Sequence, residues 1–319
     1  MLSRVADNLY WMSRYLERAE NTTRVLEVNM NLMLDRSGTT DEGRWMRMVE
    51  ALGRPAGVSW TGDALEMARS LTFDAEHRAS VTHCISMARE NARQVRDEIS
   101  SEQWQRLNRL YHRVHSADSA QEFDSDISDF FSSTMDGIHL FKGVTDTTMS
   151  HGEGWHFIRL GRYLERAYFT ATLIEVYHHD LLSAPLQDSD GHQYLELVGL
   201  LRCCTAFEAY CQVYTADLVP SQILEFLLFN RDFPHALRYS IDSLRSSITA
   251  IERQGNRSSP ELNALAGKLY AALSYTTIEE VLSNDPAAYL HSIREQCVRI
   301  HDMVYGFYIH YPIQTALAV

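Results

Sequence analysis

The chain has 319 residues, of which 45% are hydrophobic and 22% are charged, values typical of a globular protein. Its 15 glycines and 7 prolines are few, which favours long helices over a sandwich, a barrel or a Rossmann sheet. The formal net charge of −13 argues against nucleic acid or an anionic membrane surface as the main partner.

The cysteines and the N-terminal segment favour a cytoplasmic protein. Five cysteines cannot all pair, and none belongs to a Cys-x-x-Cys motif; they are Cys84, Cys203, Cys204, Cys211 and Cys297. Charged residues interrupt the N-terminal segment, which therefore lacks the apolar core of a secretory signal. The most apolar stretch, 223–229, contains Glu225 and is far shorter than the roughly 20 residues of a membrane span. We expect reduced thiols and no membrane partner.

Apolar periodicity predicts an all-α fold of about twelve helices. In the first helix, apolar residues recur at steps of three and four from Val5 to Met33, and Ser37-Gly38 marks the predicted end. Segments rich in Gly, Pro, Ser and Asn separate the helices, and no alternating strand pattern lies between them. The predicted spans are 3–34, 43–52, 62–73, 79–99, 102–115, 123–148, 153–181, 192–217, 220–230, 234–253, 260–282 and 286–310.

One hexapeptide occurs twice in the chain. Arg-Tyr-Leu-Glu-Arg-Ala occupies residues 14–19 and again residues 162–167, with the same apolar spacing on both sides. Weaker matches follow in the same order, such as 71–73 with 227–229. We therefore predict two tandem, pseudo-symmetric halves of six helices each, residues 1–150 and 151–319, fused into one body.

The repeated segments and one further helix resemble the bacterial alpha-E domain family. The resemblance rests on three strings in the expected order, and it covers essentially the whole chain: NLYWMSRYLERAEN at 8–21, ARENARQVR at 88–96 and LGRYLERA at 160–167. It implies an all-helical fold. It also implies that a circularly permuted ATP-grasp protein and a transglutaminase-like protein are encoded beside the chain or fused to it. Such systems are inferred to form or edit amide bonds in peptides.

The hexapeptides carry charges that apolar packing does not explain. Arg14, Glu17 and Arg18 project from one patch of the first predicted helix, because residues three and four apart are neighbours on a helix. The patch also includes Trp11 and Asn21, and its second copy has Arg162, Glu165 and Arg166. One interpretation is a structural ion-pair cluster between the two copies. The other is an anion clamp, in which paired guanidinium groups hold a carboxylate or phosphate.

The 79–99 helix carries a second group of charges with the same ambiguity. Its apolar face is distinct from a line of three arginines, Arg89, Arg93 and Arg96. Together with Glu90 and Asn91 these arginines form a candidate site for an anionic ligand, although such a run is also typical of a solvated helix face. Asn91 borders the apolar face, where we expect its amide to join two helices.

Neither a metal nor a nucleotide cofactor is expected. A di-iron bundle needs two Glu-x-x-His units and two further glutamates. The chain has one such unit, Glu153 to His156, and a weaker relative, Asp136 to His139. It contains no GxxxxGK[ST], GxGxxG, GxSxG or HExxH motif. If ATP-dependent ligation takes place, another polypeptide holds the ATP.

Three functional hypotheses remain open from the sequence. The leading one is an accessory or scaffold component that binds an ATP-grasp ligase, or its anionic peptide-like substrate, through the Arg/Glu patches. The alternative is an enzyme of acyl or aminoacyl transfer in the same pathway, with Glu17 or Glu165 as general base and the arginines holding a carboxylate. The third is an architectural homo-oligomer.

Overall fold

The structure, a computed structural model, describes residues 1–34, 41–53, 59–178, 191–255 and 258–309, and they form an all-α bundle. Fifteen α-helices and no strand occur in these ranges, followed by a π-helical turn at Tyr305–Ile309. The helices are α1 Ser3–Leu34, α2 Asp41–Ala51, α3 Ala64–Phe73, α4 Val81–Gln94, α5 Ser101–Val114, α6 Ser119–Ser125, α7 Ile127–Thr148, α8 Glu153–Tyr177, α9 Gly191–Cys203, α10 Phe207–Tyr214, α11 Pro220–Phe229, α12 Leu237–Gly255, α13 Pro260–Tyr275, α14 Ile278–Ser283 and α15 Pro286–Val304. The predicted stop at Ser37-Gly38 lies outside the described residues.

Helices α1 and α8 form the centre of the bundle. They pack against each other; α4 and α7 also lie on α1, while α12 and α15 lie on α8. Gly161 permits this close packing, because a Cβ atom there would overlap the carbonyl oxygen of Tyr10 and the hydroxyl of Ser13. The sequence position of the hexapeptides therefore places both of them in the middle of the molecule.

The predicted number of helices was too small, because two side-chain caps and one left-handed residue divide three of the apolar runs. Asp126 separates α6 from α7, and its side chain accepts a hydrogen bond from the N–H of Asp129. Thr205 has a φ of 52° and ends the α9 region, where the prediction was one helix over 192–217. Thr277 begins α14 through a capping box with Glu280. The predicted 79–99 helix also ends early, at Gln94.

The described helices were compared with the length and apolar character that a membrane span requires. Among the residues that the structure describes, no helix is both long enough and apolar enough to cross a bilayer.

The division into two duplicated halves stays a prediction. What the structure adds is that the first helix of each predicted half, α1 and α8, forms the principal contact between those halves.

Candidate functional site

The two hexapeptides meet face to face between α1 and α8, and their charges are exchanged across the contact. Glu165 of α8 binds two arginines of α1: its Oε2 accepts a hydrogen bond from Arg14 Nε and its Oε1 accepts one from Arg18 Nε, each at 2.7 Å. In the opposite direction, Arg166 Nε of α8 donates to Glu17 Oε1 of α1 at 2.6 Å. Each hexapeptide thus supplies a glutamate that pairs with at least one arginine of the other copy.

A lysine that the sequence analysis missed completes the ion pairs of Glu17. Lys142 of α7 donates to Glu17 Oε2 at 2.5 Å and also contacts the carboxylate of Glu20. The Nε2 atom of His139 lies 3.2 Å from that second carboxylate. Lys142 belongs to no motif, and its sequence neighbourhood gave no signal for this role. Only the packing of α7 on α1 brings it to the network.

The network lies in the protein interior. Glu17 is 0% exposed and Glu165 is 5% exposed. Burial by itself would raise the pKa of Glu165, but the adjacent guanidinium groups of Arg18 and Arg14 outweigh it and lower that pKa to about 2. Glu165 is therefore ionised at neutral pH and is a very weak base. Glu17 has a cation on each carboxylate oxygen and no access to solvent. The general-base hypothesis, which needs a reachable group with a pKa near the working pH, gains no support from this geometry.

Arg14 also contacts the C-terminal end of the bundle. The Nδ1 atom of His301 in α15 lies 3.0 Å from Arg14 Nη1 and 2.9 Å from the Tyr10 hydroxyl. Since the guanidinium can only donate, Nδ1 accepts and the ring proton lies on Nε2. Burial and the positive charge of Arg14 lower the pKa of His301 to about 4. Trp11 packs its ring edge on His301 and lies under the Arg14 guanidinium, so it supports the network.

A cavity of about 820 Å³ opens beside the Arg18–Glu165 pair, and we call it the Arg18 cavity. Its walls come from α1, α3, α8, the segment joining α3 to α4, the end of α2 at Ala51, and residues 52, 53, 59 and 61. The Arg18 side chain is 27% exposed, so part of the guanidinium borders the cavity. Only Nε of Arg18 has a hydrogen-bond partner among the described residues, which leaves its terminal nitrogens available.

Two buried polar side chains lining the Arg18 cavity lack partners. Asn21 is 5% exposed and His77 is 6% exposed, and both border the space. The amide Nδ2 of Asn21 and both ring nitrogens of His77 make no hydrogen bond to any described residue. Burial lowers the pKa of His77 below its usual 6.5, so its ring is neutral and offers one donor and one acceptor at pH 7. Unpaired buried polar groups are costly, so these groups at the cavity wall are suited to hydrogen-bond a polar ligand.

The rim of the Arg18 cavity is charged. Arg78 and three carboxylates, those of Glu66, Asp74 and Glu76, border it and are all exposed. The cavity thus has cationic and neutral donors at its base, in Arg18, Asn21 and His77, and mixed charges at its mouth. Arg18, Asn21 and Glu165 were predicted from the sequence, whereas His77 was not, because a single histidine before a helix belongs to no motif.

The second charged group, on α4 and in the turn that follows it, lies apart from this cavity. Arg89 donates from Nε to Asn108 Oδ1 at 2.7 Å and stacks on Tyr111, with its guanidinium carbon 4.4 Å from the ring centroid. Arg96 lies over Trp104. Arg93 and Glu90 form an exposed pair three residues apart on α4. The expectation that Asn91 joins two helices was wrong, since its amide donates to the carbonyl of Met87 one turn earlier in the same helix.

Candidate metal ligands are dispersed in the described part of the chain. No group of three or more His, Cys, Asp or Glu side chains there is placed to hold a metal ion. Glu153, from the predicted Glu-x-x-His unit, instead binds the N-terminal amine of Met1 at 2.9 Å. All five cysteines have free thiols.

Comparisons with known proteins bear on the resemblance seen in the sequence. Uncharacterized proteins of Mycobacterium bovis and of two Mycobacterium tuberculosis strains are 26% identical to this chain over 278 residues. The alignment covers 81% of this chain but 31% of each relative, so the chain spans about a third of the length of the curated relatives it matches. No solved structure matches.

A family model covers nearly all of the chain. It matches residues 1–309, and its description reads "a predicted alpha-helical domain with a conserved ER motif". In this chain Glu-Arg stands at 17–18, 165–166 and 252–253, and the first two are the pairs exchanged between α1 and α8. The chain belongs to the Alpha-E family.

Proposed function

We propose that this chain is the accessory component of an ATP-grasp-dependent system that forms amide bonds in peptides, and that it binds an anionic peptide-like substrate in the Arg18 cavity. The ligase partner and the transglutaminase-like partner come from the family resemblance alone. The choice of a small ligand rests on one observation: the cavity of about 820 Å³ has unpaired buried polar groups at its base. That volume lies within the range of about 300–1,000 Å³ typical of ligand sites.

The groups at the cavity base fit a carboxylate and an amide. Arg18 is anchored by Glu165 through Nε, so its terminal nitrogens are held in place to donate to a carboxylate. The neutral His77 ring and the Asn21 amide can bond to a peptide C=O and N–H. The exposed carboxylates at the mouth, of Glu66, Asp74 and Glu76, favour an ammonium or amide at the outer end. A peptide with a free carboxylate at one end and an ammonium or amide at the other fits both the base and the mouth of the cavity.

The local charges are needed because the chain as a whole is acidic. A net charge of −13 repels anions at long range, so affinity for one must come from cations close to it. Arg18 and Arg78 supply those charges at the cavity. The Arg/Glu network then has a structural role: it fixes Arg18 in the cavity wall while its other members stay buried. In this proposal the glutamates position arginines and do not act as bases.

Reconstitution with an ATP-grasp protein of the kind that the family resemblance implies tests the proposal. We expect the two proteins to co-purify and the rate of ATP-dependent amide formation to fall when this chain is omitted. The variant His77→Phe, which keeps an aromatic ring but removes both ring nitrogens, should bind the ligase normally and lower turnover. Arg109→Met, on the exposed face of α5 away from the cavity, is the matched control and should behave as wild type. A ligase that neither binds this chain nor loses activity without it contradicts the proposal.

A further inference from the structure

One arginine of the hexapeptides takes no part in the exchanged ion pairs. Glu165 is held by Arg14 and Arg18, the first and second arginines of its partner segment. By the same pattern Glu17 would be held by Arg162 and Arg166. Instead, Arg166 and Lys142 occupy its two oxygens. Lys142 thus occupies the position beside Glu17 that the repeat pattern predicts for Arg162.

Arg162 is consequently a half-buried cation without a direct counter-ion in the described part of the chain. No hydrogen bond or ion pair joins it to another residue in the described part of the chain. Burial lowers its pKa, and Glu17 nearby does not fully offset that effect. An arginine nevertheless stays protonated at neutral pH. A guanidinium without a protein partner keeps its N–H donors available to an anionic ligand.

The guanidinium of Arg162 borders a small pocket of about 260 Å³ between α7, α8 and α12, which we call the Arg162 pocket. A second arginine, Arg159, also lines it and stacks on two rings, with its guanidinium carbon 4.8 Å from Trp155 and 5.3 Å from Tyr163. Arg159 likewise has no carboxylate partner among the described residues. Tyr239 of α12 completes the aromatic wall. The pocket therefore combines two unneutralised guanidinium groups with three aromatic side chains.

One acidic residue borders the Arg162 pocket, and its position is at the mouth. Asp146 at the end of α7 is exposed, and its Oδ1 lies 3.9 Å from His151 Nε2. His151 itself stacks on Trp155. The acid thus lies in solvent beside a histidine and leaves both arginines unpaired. The inner part of the pocket remains positive.

We propose that the Arg162 pocket binds a small oxyanion attached to a flat apolar group, such as an aryl carboxylate or an aryl phosphate. The two guanidinium groups donate to the oxygens, and the aromatic wall contacts the ring. A volume of about 260 Å³ limits the ligand to a single small group. This site is separate from the Arg18 cavity and does not depend on the function proposed for it.

Calorimetric titration of the full chain with benzoate, phenyl phosphate and inorganic phosphate tests the pocket. We expect at least one aryl anion to bind with a Kd of about 1 mM or lower, and more tightly than inorganic phosphate. The comparison of benzoate with phenyl phosphate identifies the preferred oxyanion. Arg162→Met should weaken binding about tenfold or more. Arg299→Met removes one exposed, unpaired arginine from α15 and should leave binding unchanged.

Thermal unfolding separates this site from a structural role for Arg162. Because its charge has no direct partner, Arg162→Met should keep or raise the melting temperature. A large fall in melting temperature would overturn the proposal by showing that the arginine holds the bundle together. The absence of binding by any of the three probes to wild type at about 10 mM would overturn it as well. Equal binding by wild type and Arg162→Met would have the same consequence.

Discussion

Replacing Glu165 by Gln tests the buried network most severely. The change keeps the shape of the side chain but removes the charge that Arg14 and Arg18 share. Glu165 is 5% exposed and Arg14 is 8% exposed, so solvent cannot replace the lost interaction. Removing one partner of a buried ion pair costs about 3–5 kcal/mol. The pKa gives a consistent figure: a fall from 4.5 to about 2 corresponds to about 3 kcal/mol.

The contribution of the Glu165 charge to the free energy of unfolding depends on pH. The pKa of Glu165 is lower in the folded than in the unfolded state, so its stabilisation is fully present above about pH 4.5. It is lost as the pH falls through about 2. Urea denaturation should therefore show Glu165→Gln to be about 3 kcal/mol less stable than wild type at pH 7, with the difference shrinking towards pH 2.

Glu90→Gln is the matched control for burial. The pKa of Glu90 is also lowered to about 2, by hydrogen bonds from Arg93 and Gln94, but the residue is exposed on α4. Solvent screens such a pair, and the loss of stability should not exceed about 1 kcal/mol. Equal, small losses in both variants would refute the argument that the network contributes through burial of its charges.

Three further predictions concern neighbouring parts of the core. Lys142→Met leaves Glu17 and Glu20 with fewer cations, and denaturation at pH 7 should show a loss of about 3 kcal/mol; a change below 1 kcal/mol would contradict this. Gly161→Ala should cost about 1–3 kcal/mol, whereas Gly267→Ala, where an added Cβ meets open space within a helix, should be neutral or stabilising; a reversed order would disprove the close approach of α1 and α8. NMR titration should give His301 a midpoint near pH 4, and a midpoint near 6.5 would place it outside the Arg14 contact.

The sequence was sufficient to identify the important helices but not what surrounds them. The repeated hexapeptide correctly indicated charges that apolar packing does not explain, because the spacing of Arg14, Glu17 and Arg18 follows from helix geometry alone. Whether those charges face water or another helix depends on how α1 meets α8. Lys142 and His77 were missed for the same reason. Each reaches its position only through the packing of a distant element, which leaves no local pattern.

Helix ends were another limit of the sequence analysis. Apolar periodicity continues through Asp126, Thr205 and Thr277, yet the backbone breaks there. At Asp126 and Thr277, side-chain caps satisfy the first N–H groups of the following helix, and at Thr205 the backbone takes a left-handed conformation. These local hydrogen bonds and dihedral angles outweigh periodicity over a few residues. The break after Phe73, which forms part of the wall of the Arg18 cavity, agrees with the predicted gap between the 62–73 and 79–99 helices.

Calorimetric titration with the dipeptide Ala-Glu measures directly whether the Arg18 cavity binds an anionic peptide, as we propose. Wild type should bind the dipeptide, and Asn21→Leu, which removes an unpaired buried amide without breaking a hydrogen bond, should bind about tenfold more weakly at an unchanged melting temperature. Arg109→Met should bind as wild type does. No heat of binding with wild type at about 10 mM dipeptide, or equal affinities for wild type and Asn21→Leu, would contradict the claim.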